Sequence, residues 1–379
     1  MTFSRPAAKP AALVVRAALR FFFVFGTAGL FLLFDHQLLS PSLSPAISIA
    51  VFLWLFAAVV IGALTVVANA DELAAILGEP YGTLILTLSV GSIEIMIIGT
   101  VMLTGEANPA LARDTMFSVV MIVMNGLTGL ALLLGGLRYH EQAYNFPGVN
   151  AYLSLIVALS TLGMILPNYT MTTLGPTLSK GQQSFLIAMC LSLYAVFLII
   201  QTSRHRSYFA EVLPAPEQPR PLPHGVGKRT TVARHTAMMI VFLGTTVLLA
   251  EKLAVTLNTG LEEFGLPPTL GALVVAILVL VPEGVGAIQA ALANQVQRSM
   301  NLLLGSVLAT LAMTIPAVTV VAMVGHTTLE LGLSSAHQVM LALTLLTSML
   351  TFGGGRTNVL QGTVHVGLFL AYLLLIFIP

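Results

Sequence analysis

The chain has 379 residues, 57% of them hydrophobic and 8% charged, with a formal net charge of +1. A soluble domain carries about 25% charged residues, so a water-exposed globule is excluded and an all-α polytopic protein of the lipid bilayer is expected. No basic run with interleaved aromatics is present, which argues against a nucleic-acid partner, and the single cysteine, Cys190, excludes an intrachain disulfide or a cysteine-based metal site.

A spanning helix needs about 20 mainly apolar residues. In chain order the apolar runs predict eleven, over 17–35, 46–69, 82–104, 114–137, 150–167, 182–202, 235–257, 269–292, 299–324, 337–352 and 359–378. The opening run, preceded by Arg5, Lys9, Arg16 and Arg20, is long and lacks a small-residue cleavage site, so it reads as a first spanning helix and not a signal peptide. Residues 203–234 hold six basic residues and five prolines between Pro214 and Pro223, the composition of a linker. Four regions follow: an N-terminal arm and first helix (1–45), a first half (46–202), the linker (203–234) and a second half (235–379). With the N-terminus in the cytoplasm, 13 of the 16 basic residues face the cytoplasm, leaving Arg113, Lys180 and Lys252 outside. The positive-inside bias therefore predicts a cytoplasmic N-terminus.

One stretch occurs twice. Tyr81 to Glu94 and Leu270 to Glu283 share a glycine (Gly82, Gly271), a leucine (Leu84, Leu273) and a final glutamate (Glu94, Glu283), all at an offset of 189 residues, which Asn69 and Asn258 share. The two glutamates fall on the third and eighth predicted helices. Five helices apart, the copies must cross the membrane in opposite directions. An inverted repeat of this kind, two five-helix halves after one extra N-terminal helix, is an architecture of secondary transporters with a midplane site. At about 1.5 Å per residue each glutamate lies roughly 15–20 Å along its helix, near mid-depth.

Of the acidic residues, only Glu94 and Glu283 fall deep in apolar spans, and no Lys or Arg is predicted at that depth. A charge at mid-bilayer costs about 2.5–3.5 kcal/mol even on the lenient insertion scale. An uncompensated pair needs protons or a mobile cation, and exchange of one for the other is proton-coupled antiport. The alternative is that each glutamate hydrogen-bonds a neighbouring helix. Gly91, Pro282, Gly284 and Gly286 weaken the helices around the pair, and freed carbonyls are ligands for hard cations. Thr87, Ser89, Ser92, Ser306 and Thr310 are candidate further ligands, or else helix-packing hydroxyls. Asn125 and Asn301, on the helices that follow each glutamate, are stronger polar candidates, unless Asn301 sits too near a membrane surface. Glu72 and Glu79, with Asp71, form an acidic patch that could concentrate cations at the cytoplasmic mouth, or a solvated loop. Asp114 with Arg113 is expected to cap helix four, Glu251 to pair locally with Lys252 or to be exposed, and His365 to relay protons or to pack as a hydrogen-bonded histidine.

An intramembrane enzyme fits poorly: no deep aspartate pair and no His-Glu-x-x-His exist. No nucleotide-binding loop is present either, and midplane titratable sites in an inverted repeat favour alternating access over a channel.

The run Gly82-Thr83-Leu84 to Ser92-Ile93-Glu94, with Pro282-Glu283-Gly284 and Met300 to Ser306, resembles the two repeats of the calcium/cation antiporter superfamily. Gly78 to Thr83, Arg113-Asp114-Thr115, Asn294 to Arg298 and Gly355 to Leu360 resemble its bacterial ChaA-type members. Val90-Gly91-Ser92 departs from the Gly-Asn-Ala of many calcium/proton exchangers. The resemblance implies the eleven-helix fold, a bacterial inner (plasma) membrane location, and exchange of cytoplasmic Ca2+ for protons, with Na+/H+ or K+/H+ exchange also attributed to the group. It places the cation and proton site on Glu94 and Glu283 and implies no cofactor beyond the transported ions.

Overall fold

The computed structural model describes residues 10–39, 44–77, 91–92, 94–96, 98–99, 109–211 and 228–378. Among these, ten helices are α1 (Pro10–Leu38), α2 (Pro45–Leu77), α3 (Leu111–Tyr139), α4 (Phe146–Asn168), α5 (Lys180–Arg204), α6 (Lys228–Glu263), α7 (Pro268–Leu292), α8 (Val296–Gly325), α9 (Ser335–Thr351) and α10 (Val359–Phe377). The described part of 91–99 is also helical. Two short strands, β1 (Glu141–Ala143) and β2 (Arg356–Asn358), complete the fold.

Among the described residues, eight helices are long and apolar enough to cross a membrane, and α7, bent by 56° between Val281 and Glu283, makes a ninth if its two pieces count as one span. The expected eleven are not reached among the described residues. Helix α9 has 17 residues, short of a full span, and most of the third predicted span, 82–104, lies outside them. Helices α2 and α6 run past the predicted ends because apolarity marks only the length inside lipid, while a helix can continue through polar residues such as Asn69 to Glu72.

The repeat has a structural counterpart. Both α3 and α8 contain a π turn, at Ile122–Leu127 and Thr310–Thr314. The 189-residue offset carries Ile122 onto Leu311, inside the second turn, and Phe146 at the start of α4 onto Ser335 at the start of α9. The equivalent helices run in opposite directions. The C-terminal end of α3 sits where α8 begins, with Tyr139 Oη donating to Leu292 O at 3.0 Å and Gln142 Nε2 to Asn294 Oδ1 at 3.0 Å. The strands close this face: β1 pairs antiparallel with β2, Gln142 opposite Thr357. Gln297 Oε1 accepts from the Asn145 amide at 2.7 Å. At the other face Arg113 Nη1 donates to Gly332 O at 2.8 Å and Leu333 N to Met164 O at 2.9 Å. Both faces are thus tied between the halves.

Two apolar cores form. One draws on α1, α2 and α6, with Leu278 and Val279 of α7. Its polar ties are Trp54 Nε1 to Thr27 Oγ1 at 3.1 Å and Lys252 Nζ to Asp35 Oδ2 at 3.3 Å. The described ion pair of Lys252 is therefore with α1 and not with Glu251, which is half-buried, neither locally paired among the described ion pairs nor fully exposed. The larger core takes in α3, α4, α5 and α7 to α10. Each core combines helices of both halves. Within the larger one α3 is the most enclosed span, and it meets α10 backbone to backbone at Gly129 and Gly362. A methyl group on Gly129 would stand 2.7 Å from Val366 N, and one on Gly362 would collide with Leu133 N. Small residues at such crossings let helices pack closely where the hydrophobic effect cannot drive them together.

Candidate cation site

Glu94 is 3% exposed. Thr310 Oγ1, in the π turn of α8, donates to its Oε2 at 2.7 Å. The buried Thr314 hydroxyl, four residues on, faces the same carboxylate without completing a hydrogen bond. Gly91, one turn before Glu94, lets the Met313 thioether in: a methyl there would lie 3.2 Å from Met313 Cε. The π turn matters because an extra residue per turn opens the helix and redirects side chains, which is why such turns recur at functional sites.

Glu283 sits at the corner of α7. The 56° bend falls between Val281 and Glu283, where the sequence has a proline, a residue with no N–H to give the helix ladder. The next residue, Gly284, faces the α3 π turn, and a methyl on it would stand 3.0 Å from Leu127 Cδ2. Each glutamate therefore lies beside the π turn of the opposite repeat. The two carboxylates are near enough for Glu94 to act electrostatically on Glu283. Among the described residues, both oxygens of Glu283 and Oε1 of Glu94 are buried without a hydrogen-bond partner. Neither glutamate forms an ion pair among the described residues. Three unpartnered carboxylate oxygens in an apolar setting demand neutralisation. Among the described residues no group of three acidic, His or Cys side chains could hold a metal. A cation here would draw its remaining ligands from hydroxyls, carbonyls or water.

The other candidates separate. Thr310 reaches the site, whereas Ser306, one turn earlier on α8, is half-buried. Asn301 belongs to the face network: its Nδ2 donates to Phe209 O at 2.7 Å and its Oδ1 accepts from Gln297. Asn125 is fully buried in the α3 π turn, and its described hydrogen bonds go to Thr344, His365 and Met121. Ser92 is half-buried in the glutamate segment and Glu72 is exposed on α2. Ser89, Thr87 and Glu79 lie outside the described residues. Asp114 does not cap its helix. The cap position is Ala110, with no side-chain bond, and Asp114 instead pairs with Arg113 Nε at 2.8 Å because it already lies inside the first turn. His365 is a buried, hydrogen-bonded histidine. Sequence reasoning missed Thr314, although the 189-residue offset from Asn125 lands on it.

Comparisons with known proteins place the chain in a family and a fold. The sodium/calcium exchanger protein family matches residues 47–203 and 234–378. The sodium-potassium/proton antiporter ChaA of Escherichia coli is 39% identical over 329 residues, 87% of this chain and 89% of that protein. The Ca2+/H+ antiporter ChaA of Bacillus subtilis is 21% identical over 261 residues, 69% of this chain and 72% of that one. Among solved structures, native YfkE superposes with a TM-score of 0.72 at 16% identity, covering 95% of this chain and all of that one. The H+/Ca2+ exchanger CAX superposes with a TM-score of 0.68 at 15% identity, covering 94% and 88%. The two curated relatives are named as antiporters, that is, as transporters and not enzymes. The chain belongs to the sodium/calcium exchanger family of membrane proteins.

Proposed function

We propose that this protein is a secondary cation/proton antiporter in which Glu94 and Glu283 alternately hold a metal cation and protons. The observation that carries the reading is the pairing of two buried carboxylates across the repeats, neither of which has an ion pair among the described residues. A cation arriving from the cytoplasm displaces protons, the access changes side, and the cation leaves outside as protons return. The N-terminus lies in the cytoplasm of a bacterium and the protein in its inner membrane. Two carboxylates are neutralised by one Ca2+ or by two protons, so the site sets one Ca2+ against two H+. A monovalent ion needs a second copy or a retained proton.

Ca2+ is the first assignment, since two carboxylates with carbonyls and hydroxyls suit a hard divalent ion. The second reading is Na+/H+ or K+/H+ exchange, favoured by the 39% identity to the Escherichia coli protein named for sodium and potassium. Everted vesicles carrying a pH-sensitive dye test both. Cation-evoked alkalinisation of an acidified lumen is expected, and it should vanish in Glu94→Gln and in Glu283→Gln at normal membrane yield. Full exchange in either variant removes that residue from the mechanism. Saturation at micromolar Ca2+ selects the first ion class, and dependence on millimolar Na+ or K+ selects the second.

A further inference from the structure

We infer that His365 is a positioning residue of this site, holding the α3 π turn in phase through Asn125, and is not a proton relay. The inference rests on the proposed antiport only for its functional readout.

His365 is fully buried on α10, and both ring nitrogens are engaged: Nδ1 with Asn125 Oδ1 at 3.1 Å and Nε2 with Thr351 Oγ1 at 3.0 Å. An amide oxygen only accepts, so Nδ1 carries the proton. In the neutral ring Nε2 then accepts from the Thr351 hydroxyl. Asn125 Nδ2 donates to Thr344 Oγ1 at 2.8 Å, and that hydroxyl reaches Met121 Sδ at 3.7 Å. The donors run in one direction, from Thr351 through His365, Asn125 and Thr344 to a thioether. Such a chain cannot conduct. The Asn125 amide does not give up a proton, and the chain ends on sulfur instead of a carboxylate.

It does tie three helices together at one point. Asn125 lies within the π turn of α3, Thr344 and Thr351 on α9, and His365 on α10. The Gly129–Gly362 contact, four residues after Asn125 and three before His365, presses α3 and α10 together beside it. A π turn inserts one residue, which rotates everything after it by about 100° relative to a regular helix. Holding Asn125 toward α9 and α10 fixes that phase. Leu127, two residues on, is then aimed at Gly284, next to Glu283. Without the imidazole, Asn125 Oδ1 and the Thr351 hydroxyl would be buried unpaired, and the regular helix would compete with the π turn.

The test compares His365→Gln, whose amide can both donate and accept, with His365→Leu, which can do neither, in the everted-vesicle assay. The half-saturating cation concentration is expected to rise about tenfold in His365→Leu with maximal rate and yield little changed, and to stay within about twofold in His365→Gln with the same pH profile. Thr351→Val, which removes one of the two ring bonds, should give an intermediate rise, and it serves where His365→Leu is poorly made. Loss of exchange or a displaced pH profile in His365→Gln would establish a titrating ring and overturn the inference. So would unchanged half-saturation in His365→Leu or, where that is poorly made, in Thr351→Val. Amide hydrogen exchange over residues 122–127 needs no transport activity. It should accelerate in His365→Leu and not in His365→Gln, so it tests the clamp even if the antiport assignment fails. Equal protection in all three proteins would refute it.

Discussion

Thr310 Oγ1 donates to Glu94 Oε2 at 2.7 Å, so a hydroxyl of the second repeat holds the carboxylate of the first. The repeat does not return the favour. The 189-residue offset places Met121 where α3 would offer the counterpart to Glu283, and a thioether cannot donate. The two carboxylates are therefore unequal: one is anchored and the other is without a hydrogen-bond partner among the described residues. Thr310→Val keeps the shape and removes the donor. A hydrogen bond to a charged group contributes about 1.5–3 kcal/mol, so half-saturation by the transported cation should rise about tenfold or more. A cation titration in vesicles measures it, and an unmoved half-saturation point would show that this bond is not part of the site.

How much of this was legible beforehand follows from what carries each feature. The burial of the two glutamate carboxylates could be read because an acid that follows a run such as Val274 to Val281 and precedes more apolar helix has nowhere polar to sit. The inverted repeat could be read because its offset is constant and its step odd. The ends of α4, α5, α7 and α8 could be read because apolar length is set by the bilayer. The π turns could not. Ile122–Leu127 and Thr310–Thr314 look like ordinary apolar helix, and the extra residue is a matter of tertiary packing. For the same reason Asn125 read as a ligand candidate while the fold gives it described partners on α9 and α10, and Asn301 proved to be part of the face network. A polar residue's depth can be read from sequence, but the direction it points depends on helix phase.

The α3–α10 crossing should be intolerant of a single methyl. Gly362→Ala would place a Cβ against the Leu133 backbone, which cannot yield without separating the helices. Gly367, five residues on along the same helix, has nothing within 4 Å of its would-be Cβ. Overpacking costs about 1–3 kcal/mol. Gly362→Ala should therefore lower the thermal midpoint in detergent while Gly367→Ala leaves it unchanged. Equal behaviour of the two would mean that the helices do not meet on their glycines.

Outside the spans, Glu211 supplies a pH-dependent term. Its Oε1 accepts from the Arg298 amide at 2.8 Å. Partial burial nonetheless raises its carboxyl above the usual range, against the opposing pull of that amide and of the Arg298 charge. A raised folded-state value means that the folded protein binds the proton more tightly than the unfolded chain does. The associated stability is complete below the ordinary carboxylate range and is lost as pH rises through the raised value. Glu211→Gln keeps an acceptor for Arg298 and cannot ionise. It should be more stable than the parent at pH 8, by no more than about 1 kcal/mol for so accessible a group, and no different at pH 4. Thermal melts at the two pH values decide this, and a gain confined to pH 4 would reverse the sign.

At the opposite face the protein depends on Arg113. Its side chain is 14% exposed, pairs through Nε with Asp114 Oδ1 at 2.8 Å, lies 3.7 Å from Glu330 Oε2, and donates through Nη1 to Gly332 O at 2.8 Å. One guanidinium thus fixes the start of α3 to the 326–334 connection, and the Glu330 amide adds a bond to Pro109 O at 2.9 Å. Breaking a buried pair from one side costs about 3–5 kcal/mol because the remaining charge is stranded. Arg113→Leu should therefore lose most of that, with some recovery in Arg113→Leu/Asp114→Asn, where only the more exposed Glu330 keeps a charge. Arg113→Lys keeps the charge but not the fork that reaches both Asp114 and Gly332, so it should fall between the parent and Arg113→Leu. Unfolding in detergent measures the order of the four proteins. If Arg113→Leu matched the parent, the connection would be held by its backbone bonds alone.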